Sequence, residues 1–506
     1  MTKILLITPY GYQNTGIRLL SATLREGGFD APILFMKAWR NNDIHPPTDR
    51  EFRLMRDFVK ETDPDIIGIG FGTPYLKIVS EMTERLRDVS GAHIIWGGVH
   101  PTIGPEDCIE IADSVCIGEG EGPLLDLARA FRDGNSIEEI SNLWIRTTEG
   151  VHRNRPRPLL QNLDDLPYQH LAEAEMFSIE DGRLRHGNPS KDNALYRIFA
   201  SRGCPFGCSF CYNSQFRQIF SGLGRYHRTR TVESVLEELE AACKRLPKLR
   251  RIRFDDDTFV FPPAWIDHFA REYPRRIALP FDILLNPQAA NETTLRRLKE
   301  AGLVHVQVGI QSGSEDEVEA HFSREGSNAQ TLDLARLLHD IGIEVTYDLI
   351  LDNPLATRRD KEAMIDLLLQ LPRPFALFIY SLTNFPKSEI TDKLLEMGLI
   401  SPEEVEGRAT KSFEQFRLSL SYPRPAEETF FAGLISMTSK GFIPGRLIKS
   451  VSRSAFLRSH PAPVRWAAEA ANVIKLAGVA FKMLRRGELS AFKIAEYASF
   501  KRRLIQ

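Results

Sequence analysis

Cysteine is scarce in this chain, with six in 506 residues. So few thiols over such a length exclude a disulfide framework and point to a reducing compartment. No run approaches 18 uninterrupted apolar residues, so no spanning helix is expected. The N-terminus, Met1-Thr2-Lys3-Ile4-Leu5-Leu6-Ile7, enters a strand-like run directly. It lacks the basic region, apolar core and small-residue cleavage site of a secretion signal, so a cytoplasmic location is expected. Acidic residues run short in one place only. From Lys440 to Gln506 there are 14 Lys/Arg against 3 Asp/Glu, a net of +11, and the preceding 439 residues carry −13. With that acidic majority and no recognition motif, nucleic acid is not expected as a partner. Hydrophobic content of 42% and charged content of 26% are those of an ordinary globular protein of two to four domains.

Half of the cysteines stand together. Ser201–Asn213 reads S-R-G-C-P-F-G-C-S-F-C-Y-N and sets Cys204, Cys208 and Cys211 in a C-x3-C-x2-C array. Cys108, Cys116 and Cys243 lie apart. Zinc knuckles come as paired C-x2-C or C-x4-C units, and no second pair is present. A zinc site with a distant fourth ligand and a chance cluster are the plain alternatives. Three thiolates on so short a loop can instead hold three irons of a 4Fe-4S cubane and leave the fourth iron open to a ligand.

Residues 1–140 alternate short apolar runs with helical patterns. Strands are expected near residues 3–8, 32–35, 66–71, 93–96 and 114–117, with amphipathic segments between them. Five such repeats predict a doubly wound parallel sheet, which binds ligands beyond the carboxyl ends of its strands. Those ends are rich in glycine and small polar residues: Thr8 to Gly16, Gly70 to Tyr75, Gly97 to Thr102 and Gly118 to Gly122. Any one of them reads as a tight turn. Four on one edge point to a ligand that the backbone approaches closely. Residues 141–192, with three prolines and mixed charges between Gly150 and Leu171, read as a non-helical linker. Residues 193–416 then give six strand-like runs separated by helical patterns. That alternation predicts a partial β/α barrel with the cysteine loop after its first strand. Residues 417–506 read as helical and basic, with helices near 423–440 and 464–486.

The sequence Gly97-Gly-Val-His-Pro-Thr102, with Gly118-Glu-Gly-Glu121, precedes a C-x3-C-x2-C domain. The combination resembles radical S-adenosylmethionine (SAM) enzymes that carry a cobalamin-binding domain. The resemblance implies that Thr8, Gly72, Thr73, Gly98, His100, Gly118, Glu119 and Gly120 face cobalamin. The D-x-H-x-x-G motif of mutase-type domains, whose His ligates cobalt, is absent: positions 8–16 hold neither Asp nor His. Base-off cobalamin without a His from this loop is therefore expected, or loss of cobalamin altogether. His100 is the only His in the four loops and is read as a neighbour of the corrin.

In the second domain the resemblance assigns Cys204, Cys208 and Cys211 to the cluster and Phe210 to the adenine. Asp256 or Asp257 would hold the methionine ammonium. Ser312, within Gly309-Ile-Gln-Ser-Gly-Ser-Glu315, and Arg324 would hold its carboxylate. Gln311 replaces the usual Glu of that turn. Leu351–Thr357 and Phe385–Ser388 depart from the G-x-P-G-E-T and P-G-T turns and suggest a specialised subgroup.

The activity implied is cleavage of SAM to a 5′-deoxyadenosyl radical, used to functionalise an unactivated carbon, most simply by methyl transfer from cobalamin. Radical ring closure or carbon-skeleton rearrangement is the alternative, and a non-catalytic cluster and corrin sensor is the alternative of another class. No catalytic base is assigned; Tyr347, Asp348 and Tyr380 are equally good barrel or core residues. The partners implied are a small-molecule or lipid-like substrate and an electron donor such as flavodoxin or ferredoxin. The basic C-terminal region reads as a peripheral membrane contact, a cap over the barrel mouth, or a core-packed helix with a solvated face.

Overall fold

The computed structural model describes residues 2–38, 46–405 and 424–485. The expected boundary at 416–417 lies outside them. The first sheet is built on β1 (Ile4–Thr8), β2 (Ile33–Phe35), β3 (Ile66–Gly70), β4 (His93–Gly97) and β5 (Ser114–Cys116), all parallel. All five residues of β1 are buried, because helices cover both faces of the sheet. Ile17, Leu124 and Leu127 pack on one face, and Phe52, Met55, Val79 and Met82 on the other.

The sheet does not stop at five strands. β6 (Leu143–Thr147), β7 (Gly150–Arg153), β8 (Met176–Glu180) and β9 (Arg183–His186) extend it to nine, in the order β7-β6-β5-β4-β3-β1-β2-β8-β9. The segment read as a linker thus carries four strands. β7 and β9 are antiparallel edges, and β9 is exposed along its whole length. An edge strand that buries nothing has no apolar alternation to read.

The second sheet is the expected partial barrel. β10 (Leu195–Ile198) begins it. A short antiparallel pair, β11 (Ser201–Arg202) and β12 (Arg228–Thr229), brackets the cysteine loop. Then follow β13 (Arg251–Phe254), β14 (Phe281–Leu285), β15 (Leu303–Gln311), β16 (Glu344–Leu351) and β17 (Ala376–Ser381). The six long strands pair in parallel in the order β10-β13-β14-β15-β16-β17. Side chains alternate along them. Ile252 and Phe254 join the buried layer under the helices, while Arg251 and Arg253 point inward to Asp282 and Gln307. Side-chain oxygens of Thr231, Asn291, Ser327 and Thr357 cap the helices that follow, so each enters its turn at a fixed angle.

A helical region closes the described chain. Helix Ala426–Thr438 packs its Phe430, Leu434 and Ile435 into the main core, and helix Ala462–Arg485 lies against it through Val464 and Ala468. No helix among the described residues is long and apolar enough to cross a membrane.

Candidate active site

The carboxyl ends of the first sheet and the residues on either side of the cysteine loop line one cavity of about 530 Å³; Cys204, Cys208 and Cys211 are not on its wall. Thr8, Gly72, Gly98, Gly118, Glu119 and Gly120 line it from the first sheet. Arg202, Tyr212, Asn213, Phe216, Phe220, Tyr226 and Asp257 line it from the second. Glycine is required at Gly98. Its φ is +103°, and a Cβ there would sit 2.7 Å from the Phe71 carbonyl oxygen.

Two of the residues expected near the corrin stand behind this wall. Thr73 and His100 are each 1% exposed, and His100 Nδ1 lies 3.1 Å from Thr73 Oγ1. Burial pushes the imidazole down to about 4, so it is neutral. No histidine among the described residues lines the cavity. Glu119 reaches the wall, but its carboxylate is held across the domain boundary by Arg202 at 2.9 Å and Arg228 at 3.0 Å. Burial would raise its pKa; the two guanidinium groups overcome that and hold it below the usual carboxylate range. Glu121 takes the other arm of Arg202 at 2.5 Å.

The cysteine loop leaves β11 at Gly203 and ends in helix Tyr212–Ile219. Arg217 ties the loop down by donating to the Cys204 and Phe206 carbonyls at 2.6 and 3.2 Å. Asn213 Nδ2 donates to Cys211 Sγ at 3.7 Å, and its Oδ1 accepts from Tyr226 at 2.5 Å. Burial pushes the Cys204 thiol up to about 11 and the Cys211 thiol up to about 12, and it raises Cys208 too. Such thiols ionise when a cation replaces the proton. Among the described residues no three His, Cys, Asp or Glu side chains close on a single ion. The all-thiol donor set, spread over one loop, fits a polynuclear iron–sulfur cluster and leaves zinc without a fourth ligand.

The other expected SAM contacts fall into separate places. Asp257 lies on the cavity wall and accepts from Tyr212 at 2.9 Å. Asp256 is buried behind it, accepting from the Ser201 hydroxyl and, at 3.4 Å, from the Ala200 N–H; burial pushes it up to about 7. Ser312 and Arg324 border a smaller recess with Gly309 and Ile310. Ser312 donates to Glu317 at 2.6 Å, and Arg324 donates to the Gly309 carbonyl at 2.6 Å. Burial lowers the Arg324 pKa, and Cys208, Cys204 and Cys211 act against that, so its charge is felt at the cysteine loop. Gln311 sits at a bulge of β15 with φ +71°. Phe210 packs edge-on against Phe322, 5.2 Å between centroids, in an apolar cluster away from the large cavity.

A sequence model of the radical SAM superfamily matches residues 198–368, and one of the B12-binding domain matches residues 2–128. The chain belongs to the radical SAM enzymes that carry a cobalamin-binding domain. Its cofactors are accordingly a 4Fe-4S cluster, SAM and cobalamin. It is 27% identical over 360 residues to an uncharacterised methyltransferase of Pyrococcus horikoshii, covering 70% of this chain and 74% of that one. It is 24% identical over 309 residues to an anaerobic magnesium-protoporphyrin IX monomethyl ester cyclase of Cereibacter sphaeroides, covering 58% of this chain and 48% of that one. In fold it resembles TsrM, a radical SAM methyltransferase of Kitasatospora setae. The TM-score is 0.63 at 18% identity, covering 78% of this chain and 76% of TsrM in its tryptophan and aza-SAM complex.

Within this radical SAM enzyme, the three candidates for a base separate. Tyr347 packs outward against Phe375. Asp348 points inward, where Gln307 donates to its Oδ2 at 2.7 Å and its Oδ1 has no partner among the described residues. Burial pushes its carboxyl up to about 7. Tyr380 lies near Asp348, and burial holds its phenol protonated. The residues that sequence reasoning left unassigned are Arg202, Tyr212, Asn213, Tyr226 and Arg228. The first three flank the cysteines directly, and that adjacency is the only signal the sequence offers for them.

Proposed function

We propose that this enzyme transfers a methyl group to an unactivated carbon of a small-molecule or lipid-like substrate. The observation that carries the reading is the single cavity shared by the glycine-rich strand ends and the residues that flank the cysteine loop. Groups held by the two domains can meet there in a fixed geometry. When bound, the cluster and SAM supply a 5′-deoxyadenosyl radical and cobalamin supplies a methyl group.

The chain's own residues do the holding. Cys204, Cys208 and Cys211 would hold the cluster, and the Asn213 N–H would stabilise charge on Cys211. Asp256 or Asp257 attracts the methionine ammonium of SAM, while Arg324 with Ser312 offers a cation and a hydroxyl to its carboxylate. Thr8, Gly72, Gly98, Gly118 and Gly120 let backbone pack against the corrin. Phe216 and Phe220 keep the wall between the two halves dry. An electron donor such as flavodoxin or ferredoxin is the partner such a site would need, and the basic C-terminal region gives a peripheral membrane contact. Similarity to the Pyrococcus methyltransferase favours methyl transfer. Similarity to the protoporphyrin cyclase keeps ring closure as the second reading.

The test is anaerobic turnover of the reconstituted enzyme with methyl-labelled SAM and candidate substrates. Methyl transfer predicts 5′-deoxyadenosine, S-adenosylhomocysteine and label in the product. Deoxyadenosine without homocysteine product or label would move the assignment to ring closure. Absence of both from a fully loaded enzyme would leave a sensor.

A further inference from the structure

Helix Ala462–Arg485 has two apolar sides. Val464, Ala468 and Ala471, spaced i, i+4 and i+7, are buried against the protein. Trp466, Val473 and Ile474, spaced i, i+7 and i+8, form a stripe on another side, and they are 61%, 44% and 57% exposed. Phe442, Leu447 and Phe456, just ahead in the chain, are 53%, 56% and 69% exposed. Among the described residues, six of the ten large hydrophobic side chains left exposed thus fall within 33 residues of sequence. One apolar side is covered by the protein and the other is bare, and a concentrated exposed apolar patch marks an interaction surface.

Charge identifies what covers it. From Lys440 to Arg485 there are nine Lys/Arg and one acidic residue, Glu469. Lys449, Arg458 and Arg465 have carboxylate neighbours in Asp366, Glu362 and Glu469. Arg446 and Arg453 are exposed and have no ion pair among the described residues. A second copy meeting this face about a twofold axis would set basic against basic. Nucleic acid would satisfy the arginines and leave Trp466, Val473 and Ile474 wet. An anionic lipid bilayer satisfies both, with apolar side chains in the acyl boundary and guanidinium groups at the phosphates. The helix is not apolar enough to cross, so it would lie in the plane, with Trp466 at the depth where indole is favoured.

We infer that the apolar stripe of helix Ala462–Arg485 and the basic segment before it dock this enzyme on an anionic membrane surface. The inference deepens the lipid-like substrate reading and rests on it for its purpose. Its test needs no turnover, so failure here leaves the methyl-transfer reading standing, and failure of turnover leaves this one.

The full chain is mixed with phosphatidylcholine vesicles, with and without phosphatidylglycerol, and floated on a density gradient. Flotation should require phosphatidylglycerol and fall with salt. Each basic group near such a surface is worth about fivefold in binding. The pair Arg446→Glu and Arg453→Glu should therefore weaken flotation at least about tenfold. Trp466→Glu with Ile474→Glu should abolish it, with circular dichroism and cluster absorbance unchanged. Brominated lipid should quench wild-type fluorescence and spare that of Trp466→Phe. Flotation of both double variants equal to that of the parent, or fluorescence that brominated lipid leaves unchanged, would overturn the inference. So would a concentration-dependent dimer or an oligonucleotide complex that these substitutions disrupt while vesicles bind no form of the chain.

Discussion

At the scale of single residues, the barrel interior holds two carboxyls in an unusual state. Asp256 and Asp348 are both pushed up to about 7 by burial. An unfolded Asp titrates near about 4. Between about pH 4 and about pH 7 the folded chain keeps protons that the unfolded chain has released. Stability from these groups is therefore present at the acid end and lost as pH rises through that window. Asp348→Asn tests the sign. The amide oxygen can still accept from Gln307, and the amide nitrogen fills the position where Oδ1 has no partner among the described residues. The variant should melt like the parent at pH 4.5 and be more stable by on the order of 1–3 kcal/mol at pH 8. Melting curves that keep a constant offset across the range would refute the burial argument. Asp256 is the poorer choice for this test. Its two oxygens accept from Ala200 N–H and the Ser201 hydroxyl, and an amide would face one of those donors with another donor.

At the scale of elements, the site depends on where backbone passes close to backbone. Gly98 follows β4 and passes close to Phe71. Gly203, with φ +79°, leads into the cysteine loop, where a Cβ would lie 2.5 Å from the Tyr226 carbonyl oxygen. Alanine at either position forces a left-handed conformation and a backbone clash, so each should cost at least about 1–2 kcal/mol in urea unfolding. Gly203→Ala should also lower the iron bound per chain on reconstitution, and Gly98→Ala should not. Equal iron in both would show that β11 does not set the cysteine loop. Much of this was legible in the sequence. Ile4–Thr8 and Ile66–Gly70 are unbroken apolar runs, as strands covered on both faces must be, and the glycines after them announce the turns. The edge strands were not legible: Arg183–His186 has no buried face to leave a pattern. Nor was the placing of His100 and Thr73, since a polar residue in a loop reads the same whether it faces the cavity or the sheet behind it. The same ambiguity hid Arg202 and Arg228, whose partners are some 80 to 109 positions away.

For the molecule as a whole, the cavity exists only while the two sheets keep their relative position. Arg202 and Arg228 on the radical side grip Glu119 and Glu121 on the other. Gln13 Nε2 adds a bond to the Leu195 carbonyl at 2.5 Å. A cycle of Arg202→Ala, Glu121→Ala and the double variant should give a coupling of on the order of 1–3 kcal/mol. Additive losses would mean that the ion pairs do not hold the halves together. The same architecture limits how cobalt can be held. The loop at positions 8–16 has no histidine, and His100 is turned away behind Gly98, bonded to Thr73. Since no histidine among the described residues reaches the wall, cob(II)alamin bound here should show no coupling to a protein imidazole in its electron paramagnetic resonance spectrum. Labelling histidine with 15N should leave that spectrum unchanged. His100→Ala should lower the melting temperature, because it empties a buried site, yet leave the cobalt signal as it was. A cobalt signal that responds to either change would put a histidine beneath the corrin, and would require the Gly98 turn to move when cobalamin binds.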